Sequence, residues 1–414
     1  MPKVELISNI SHYYYTALSL YHSGYLKHYI TGPCALDSEE WMRRSGKSFK
    51  RLWDERLLKG IPPDKVRRMW IPEIVQKGIK KLGGTSEQSN WASNELFSRK
   101  AAWMMEDCDA VHFVHTIGRE AAIKAKRSGA KVICDMRDEH PQFQEDILSS
   151  EAKELAVEFV VPGSSYKHRI LEELDLADAV FCPSAYAKKT FIDHGIPADR
   201  IVVCPYGVDT YSFAPTQARH DERFTVLFLG NVCMRKGIHY LLEGFKMAGL
   251  GDARLLLAGP IDEQFRPVLQ KFEGLFEEVG RVPHSQVRLW DQQADVFVIP
   301  SLADAYPLVA LEAMAAGLPI IVSENTGSSE IVAAGKNGYV VPIRNAAAIA
   351  EKLAFLYENR DACAAMGAAA AKSVSVLSWE NYQRKCASFY KDLFNQTTSC
   401  AGSDHSKTAK RSQI

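Results

Sequence analysis

Along most of the chain, short apolar runs rich in branched residues alternate with segments of helical length. One series covers residues 4–7, 110–114, 131–134, 179–182 and 201–204. A second covers 225–229, 254–258, 296–299, 320–322 and 339–341. Strands separated by helix-length segments predict parallel sheets built by right-handed crossovers. Two such series predict two doubly wound α/β domains. Residues 346–371 are rich in Ala and lack Pro, which predicts helices.

The pattern lapses over 206–222, where Tyr206-Gly207-Val208-Asp209 runs into a polar stretch ending at His220-Asp221-Glu222. The expected division is an N-terminal domain over 1–205, a linker over 206–222 and a C-terminal domain over 223–375. A helix over 376–395 is expected to return to the N-terminal domain. The polar, aperiodic residues 396–414 are expected to form a disordered tail.

Composition narrows the function classes. A chain of 414 residues, 46% of them apolar, exceeds what one core serves. Fifty basic and fifty acidic side chains cancel, so no overall field points to nucleic acid. Nine scattered cysteines with no Cys-x-x-Cys pair resemble neither a disulfide framework nor a zinc site. Met1-Pro2-Lys3-Val4-Glu5 reads as the approach to a strand, not as a signal peptide. No apolar stretch approaches the ~20 residues that span a bilayer. These readings predict a cytoplasmic protein with reduced thiols.

The most informative segment runs from Pro300-Ser301 through Asp304-Ala305-Tyr306-Pro307-Leu308-Val309 to Glu312-Ala313-Met314-Ala315-Ala316-Gly317-Leu318-Pro319. It follows the run 296–299 and leads into a helix expected to start near Pro307, where proline suits the first turn. Asp304 then lies at the carboxyl end of a strand, where open α/β sheets bind ligands. The N–H groups of Leu308 and Val309 face out of a helix N-terminus, an anion site. Glu312, one turn further, is placed to accept hydrogen bonds from ribose hydroxyls. An ordinary buried helix with incidental acids would show the same two carboxylates, so the neighbouring residues decide.

Those neighbours resemble the Glu-x7-Glu motif of family 4 glycosyltransferases, written Pro-Ser-x-x-Glu-Gly-Phe-x-Leu-x-x-Leu-Glu-Ala-Met-Ala-x-Gly-x-Pro. Asp304 and Ala305 replace the first Glu and its Gly, while Pro300-Ser301 and the run Glu312-Ala313-Met314-Ala315 with Gly317 and Pro319 match. In the family the first acid contacts sugar hydroxyls and the second the ribose, so the shorter Asp304 leaves the sugar preference open. Leu229-Gly230-Asn231-Val232-Cys233-Met234-Arg235-Lys236-Gly237 resembles the loop whose Arg and Lys hold the donor diphosphate. Lys236-Gly237 matches directly. Asn231 occupies the usual Arg position, and Arg235 either substitutes for that Arg or faces solvent. The stretch 276–283 resembles the segment whose backbone reads the base, near Arg281 and Val282, and Tyr306 falls in the donor loop.

Further matches follow in order over roughly 110–345. They include Ala177-Asp178 with Pro183-Ser184, Pro205-Tyr206-Gly207-Val208-Asp209, and Thr326-Gly327-Ser328-Ser329-Glu330. His140, in Asp138-Glu139-His140-Pro141 after a strand, falls where the family places a histidine against the donor sugar; His112 and His115 are its competitors. The resemblance implies a GT-B fold, two Rossmann-like domains facing across a cleft. It also implies a retaining transfer of a hexose-type sugar from a nucleotide-diphosphate donor to a glycan or lipid-linked acceptor, in cell-surface polysaccharide or glycolipid synthesis. The nucleotide sugar is the substrate and no cofactor is expected. With no Asp-x-Asp pair in place, Lys236 and the helix dipole are expected to carry the diphosphate charge without metal.

Residues 43–68 hold Arg43, Arg44, Lys47, Lys50, Arg51, Arg56, Lys59, Lys65, Arg67 and Arg68 against three acids. Phe49, Leu52, Trp53 and Leu57 recur at helical spacing. A basic amphipathic helix of this kind suits an anionic membrane surface, placing the protein peripherally on its inner face. A helix docked on the N-terminal sheet has the same pattern. A nicotinamide-linked oxidoreductase is disfavoured, because no Gly-x-Gly-x-x-Gly follows a predicted strand. A nucleotide-sugar epimerase and a non-catalytic binding protein on the same scaffold are the remaining alternatives.

Overall fold

The computed structural model describes residues 1–157, 164–215 and 223–403. Contacts divide the chain into two compact units. One comprises Met1–Asp135, His168–Val180 and the chain from Glu380; the other comprises Met136–Lys167 and Phe181–Trp379.

The first unit carries strands β1 (Val4–Ile7), β2 (Leu26–Thr31), β3 (Ala35–Leu36), β4 (Leu57–Leu58), β5 (Val66–Arg68), β6 (Ala110–Val114), β7 (Lys131–Asp135) and β8 (Ala179–Cys182). Their sheet has the order β5-β2-β1-β6-β7-β8, with β3 and β4 paired separately. The pairings β1–β2, β1–β6, β2–β5 and β6–β7 are parallel. β1 and β6 are buried along their whole length, which is why they read as unbroken apolar runs. β2 is absent from the predicted runs because Lys27 and His28 interrupt it. His28 Nδ1 lies 2.9 Å from Glu5 Oε1 on β1, a cross-strand pair that periodicity hides. Asp178 accepts from Val132 N at 2.8 Å and donates its own N–H to Val132 O at 2.7 Å. The acid of the Ala177-Asp178 motif therefore fastens β8 to β7.

The stretch 43–68 is not one helix. A 3-10 segment, Asp37–Arg44, is followed by the helix Lys47–Arg56, then β4, a 3-10 turn at Pro63–Lys65 and β5. Pro62 and Pro63 end any helical continuation by removing donors. Part of the basic charge is used internally: Arg56 pairs with Glu73 at 2.9 Å, Arg68 with Glu39 at 2.7 Å, and Arg67 with Glu106. The helix Trp379–Ser403 runs on through residues expected to begin the disordered tail. Extending a formed helix is cheap even through polar residues. The remainder of that expected tail, 404–414, lies outside the described residues, as do 216–222 of the expected linker. The stretch Arg360–Asn395 has the length and mean apolarity of a membrane span, which the sequence reading did not anticipate. It is interrupted between the helices Arg360–Val374 and Trp379–Ser403 and buries Met366, Ala370, Cys386 and Tyr390 within the protein.

The second unit carries β9 (Ile201–Val203), β10 (Phe224–Leu229), β11 (Ala253–Ala258), β12 (Glu277–Gly280), β13 (Val296–Ile299), β14 (Ile320–Ser323) and β15 (Gly338–Val341). The last six form a sheet of order β12-β11-β10-β13-β14-β15, with every pairing parallel. Its core is the run Phe224, Val226, Leu227 and Phe228 with Val296–Ile299, each 0–1% exposed. Each such side chain contributes roughly 1.5–3 kcal/mol. Sequence reading located five of these six strands to within a residue; β12, Glu-Glu-Val-Gly, is an edge strand too polar to register. Asp295, the acid before β13, accepts from Thr225 N at 2.8 Å and pairs with Arg360 at 2.7 Å. It also serves the sheet. The order reverses between β10 and β13, the position where doubly wound sheets open for ligands.

A candidate donor site at the strand-order reversal

The loops after β10 and β13 are bound to each other at this reversal. Leu302 N donates to Arg235 O at 2.8 Å, and Arg235 Nη1 donates to Ala303 O at 3.1 Å. Gly237 ends the 3-10 turn Met234–Lys236 with φ +66°, and a Cβ there would stand 2.1 Å from Pro300 O. Only glycine tolerates both the left-handed backbone and that approach. The Lys-Gly pair is thus explained locally: the glycine lets two loops touch, and the lysine before it is delivered between them.

Lys236 is buried and its Nζ pairs with Asp304 Oδ2. The backbone of Asp304 is held on both sides, donating to Asn325 O at 3.0 Å and accepting from Gly327 N at 2.9 Å. Ser184 Oγ, which caps the helix Ala185–Asp193, donates to the neighbouring Ala305 O at 2.7 Å. Pro307 directly precedes the helix Leu308–Ala315 instead of entering it. The N–H groups of Leu308 and Val309 open that helix with no preceding turn to bond.

Glu312, one turn in, is 7% exposed. Its Oε1 lies 2.7 Å from His284 Nε2, while its buried Oε2 has no partner. The hydrogen bond to Glu312 raises the His284 pKa. Burial, reinforced by Glu312, pushes the Asp291 carboxyl well above the usual range. His284 was not foreseen; it directly follows the stretch 276–283 assigned to base recognition by backbone alone. Arg281 and Asn231 are exposed and Val282 is half-buried. The Tyr306 hydroxyl is buried and unpartnered, with its ring edge-on to Tyr206 at 5.9 Å.

Arg235 faces the protein, with Nη1 4.0 Å from Asp138 Oδ1. Burial works against its charge, but Asp304, Asp138 and Glu139 outweigh that and raise its pKa. Asp138 and Glu139, the acids before the singled-out histidine, therefore share an electrostatic neighbourhood with Lys236 and Asp304. His140 itself is the N-cap of the helix Pro141–Glu154, accepting from Gln142 N at 3.2 Å, and its ring stacks on His194 at 4.3 Å. Burial, then His194 and Lys167, lower its pKa to about 4.

A proton that the unfolded chain binds at His140 near pH 6.5 is refused by the folded state until about pH 4. Stability is therefore lost as pH falls through that window. His140→Asn keeps a capping acceptor and removes the titration. The stability advantage of wild type over this variant should shrink by about 1–2 kcal/mol between pH 7 and pH 4, allowing for solvent screening. Urea melts at both pH values test this, and an unchanged difference refutes it.

Comparison with known proteins adds the family. Residues 212–373 match Glycosyl transferases group 1, and residues 87–211 match Glycosyltransferase Family 4. A GDP-mannose-dependent alpha-(1-6)-phosphatidylinositol monomannoside mannosyltransferase of Mycobacterium tuberculosis is 31% identical over 239 residues, 52% of this chain and 62% of that protein. A D-inositol 3-phosphate glycosyltransferase of Pseudarthrobacter chlorophenolicus is 29% identical over 231 residues, 51% of this chain and 54% of that protein. The matches span about half the length of these curated relatives. Anabaena HepE in complex with UDP-glucose shares the fold at TM-score 0.64 and 13% identity, covering 95% of this chain and 100% of that one. Consecutive family matches from residue 87 to 373, on two parallel α/β sheets, make the chain a member of glycosyltransferase family 4 with the GT-B fold.

Proposed function

We propose that the protein is a retaining, metal-independent glycosyltransferase that moves a hexose-type sugar from a nucleotide-diphosphate donor to a glycan or lipid-linked acceptor. The observation that carries this reading is one constellation at the strand-order reversal: buried Lys236 paired with Asp304 in the loop leading into Leu308–Ala315, with Glu312 one turn into that helix and its Oε2 unpartnered. Lys236, Arg235 and the helix N-terminus take up the charge developing on the departing diphosphate. Glu312 Oε2 accepts from a ribose hydroxyl. The acceptor hydroxyl attacks the anomeric carbon from the face the diphosphate leaves, and its proton passes to the leaving oxygen. The relatives' dependence on GDP-mannose and the UDP-glucose complex of HepE make GDP and UDP the first bases to try.

A thermal-shift screen of UDP, GDP, ADP and their common sugars tests the proposal. One nucleotide series should raise the melting temperature, because a ligand binding only the folded state stabilises it by mass action. The shift should vanish in Lys236→Ala and Glu312→Ala. No shift at millimolar ligand overturns the donor reading and favours a non-catalytic scaffold.

We place the acceptor in cell-surface polysaccharide or glycolipid synthesis, reached from the cytoplasmic side. The helix Ile71–Lys81 supports this more directly than 43–68 does. Ile71 and Ile74 are 57% and 63% exposed, Trp70 adjoins them, and Lys77, Lys80 and Lys81 are exposed on the same helix. That mixture of apolar and basic side chains suits an anionic bilayer interface. The wild type should co-sediment with phosphatidylglycerol vesicles and Ile74→Glu should not; equal recovery of both removes the membrane contact.

A further inference from the structure

Two buried polar atoms beside the Lys236–Asp304 pair have no partner in the protein. Glu139 is 1% exposed. Its Oε2 accepts from Gln144 Nε2 at 3.3 Å, but its Oε1 is buried without a hydrogen bond. The Tyr186 hydroxyl is likewise buried and unpartnered. Both groups lie in one electrostatic neighbourhood. Arg235, Asp138 and Asp304 are the charges acting on Glu139, and Glu139, Asp304 and Arg235 are those acting on Tyr186. A buried carboxylate oxygen and a buried phenol left unmade cost stability, roughly 1–3 kcal/mol each. Such groups persist where a ligand completes them.

Asp304 is poorly placed to do that work alone. It is one methylene shorter than Glu, and its Oδ2 is engaged by Lys236 with Ser301 Oγ at 3.5 Å. We propose that Glu139 and Tyr186 form the subsite that reads the hydroxyls of the transferred sugar, Glu139 Oε1 accepting from one hydroxyl and the Tyr186 phenol donating to another. This rests on the donor reading above. Two groups of complementary hydrogen-bonding sense on two hydroxyls of one sugar discriminate strongly, because a sugar lacking either hydroxyl leaves one of them unpaired in a buried site. Burial pushes the Glu139 carboxyl up to about 7, with Arg235 pulling against it and Asp138 and Asp304 adding to the rise. The group is then partly neutral when the site is empty, which limits its repulsion of an incoming diphosphate.

The test is calorimetric titration of wild type, Glu139→Gln and Tyr186→Phe with the preferred nucleoside diphosphate and its nucleotide sugar. Both variants should bind the nucleoside diphosphate as wild type does or more tightly. The affinity ratio of nucleotide sugar to nucleoside diphosphate should fall about tenfold in Glu139→Gln and about fivefold in Tyr186→Phe. An unchanged ratio in both overturns the inference, as does equal weakening of the two ligands, which marks a merely structural role. Wild type that binds neither ligand overturns the donor reading itself, and this inference with it. If Glu139→Gln fails to fold, Tyr186→Phe, which loses one oxygen and keeps its ring, decides alone.

Discussion

Lys236→Ala is expected to weaken binding of the donor nucleotide at least a hundredfold and to reduce transfer by as much or more. Two effects combine. The variant removes a charge-assisted contact to the diphosphate, which is stronger than a neutral hydrogen bond. It also leaves the Asp304 carboxylate, buried and paired with Lys236 in the unliganded protein, facing the incoming phosphates with its charge uncancelled. On the proposed donor reading, Lys236 turns from Asp304 to the diphosphate, an exchange of one anionic partner for another with little net desolvation. The Coulomb energy of the second effect is recoverable. Lys236→Ala/Asp304→Asn should regain part of the lost affinity although it carries one more substitution. The single variant will also be less stable, since one partner of a buried pair has gone. The quantity to compare is thus the ligand-induced shift in melting temperature, checked by isothermal titration. A Lys236→Ala protein that binds within threefold of wild type would remove Lys236 from the donor site.

Glu151→Ala is expected to destabilise the second unit by about 3–5 kcal/mol, the usual consequence of stripping one member from a buried ionic cluster. Glu151 is fully buried. Its Oε1 accepts from His239 Nε2 and the Tyr240 hydroxyl, each at 2.7 Å, and its Oε2 accepts from Arg344 Nε at 2.6 Å. Burial opposes its ionisation, but His239, Arg344 and Tyr240 together hold its pKa down. Arg344 sits at φ +57°, a backbone conformation costing roughly 1 kcal/mol for a side chain with a Cβ. Without the carboxylate three donors lose their acceptor, and Arg344 keeps only its longer contact to Ile147 O at 3.4 Å against that strained geometry. The melting temperature should fall on the order of 10 °C in a unit of this size. Glu151→Gln, which keeps an acceptor and loses the charge, should fall between. A drop of less than about 2 °C for Glu151→Ala would show that the cluster relaxes at no cost.

The strands of the second sheet were legible because β10, β11, β13 and β14 are covered on both faces and must be continuously apolar. The parallel class followed from the helix-length intervals between them. The loops after β10 and β13 were legible for a different reason: Gly237, Lys236 and the frame around Glu312 each answer a local geometric demand that leaves a fixed spacing. What could not be read is what depends on contact between distant residues. His284 meets Glu312 across 28 positions, and Glu139 lies beside charges of two loops about a hundred and more residues later. His140 is the titratable residue of its motif, yet in the structure it caps a helix and stacks on His194, while the acid before it lies within the field of Arg235. Similarly, the basic run 43–68 resembled one helix because composition registers charge and not the partners Glu39, Glu73 and Glu106 that neutralise it.

The helix that begins at Trp379 has a consequence for how the chain is made. Tyr382 meets Thr16 at 2.7 Å, and Tyr390, fully buried, meets His112. The first unit therefore draws on residues synthesised 366 and 278 positions later. At the ribosome, the helix Tyr14–His22 and β6 emerge with these two contacts still untranslated, and at ordinary elongation rates roughly 10–50 s separate residue 135 from residue 380. During that interval the apolar surface awaiting that helix is open to chaperones, while the sheet β10–β15 completes its whole sequence before residue 380. Maturation of the protein is thus ordered from its interior segments outward, with the N-terminal sheet closing only once the helix from Trp379 has emerged.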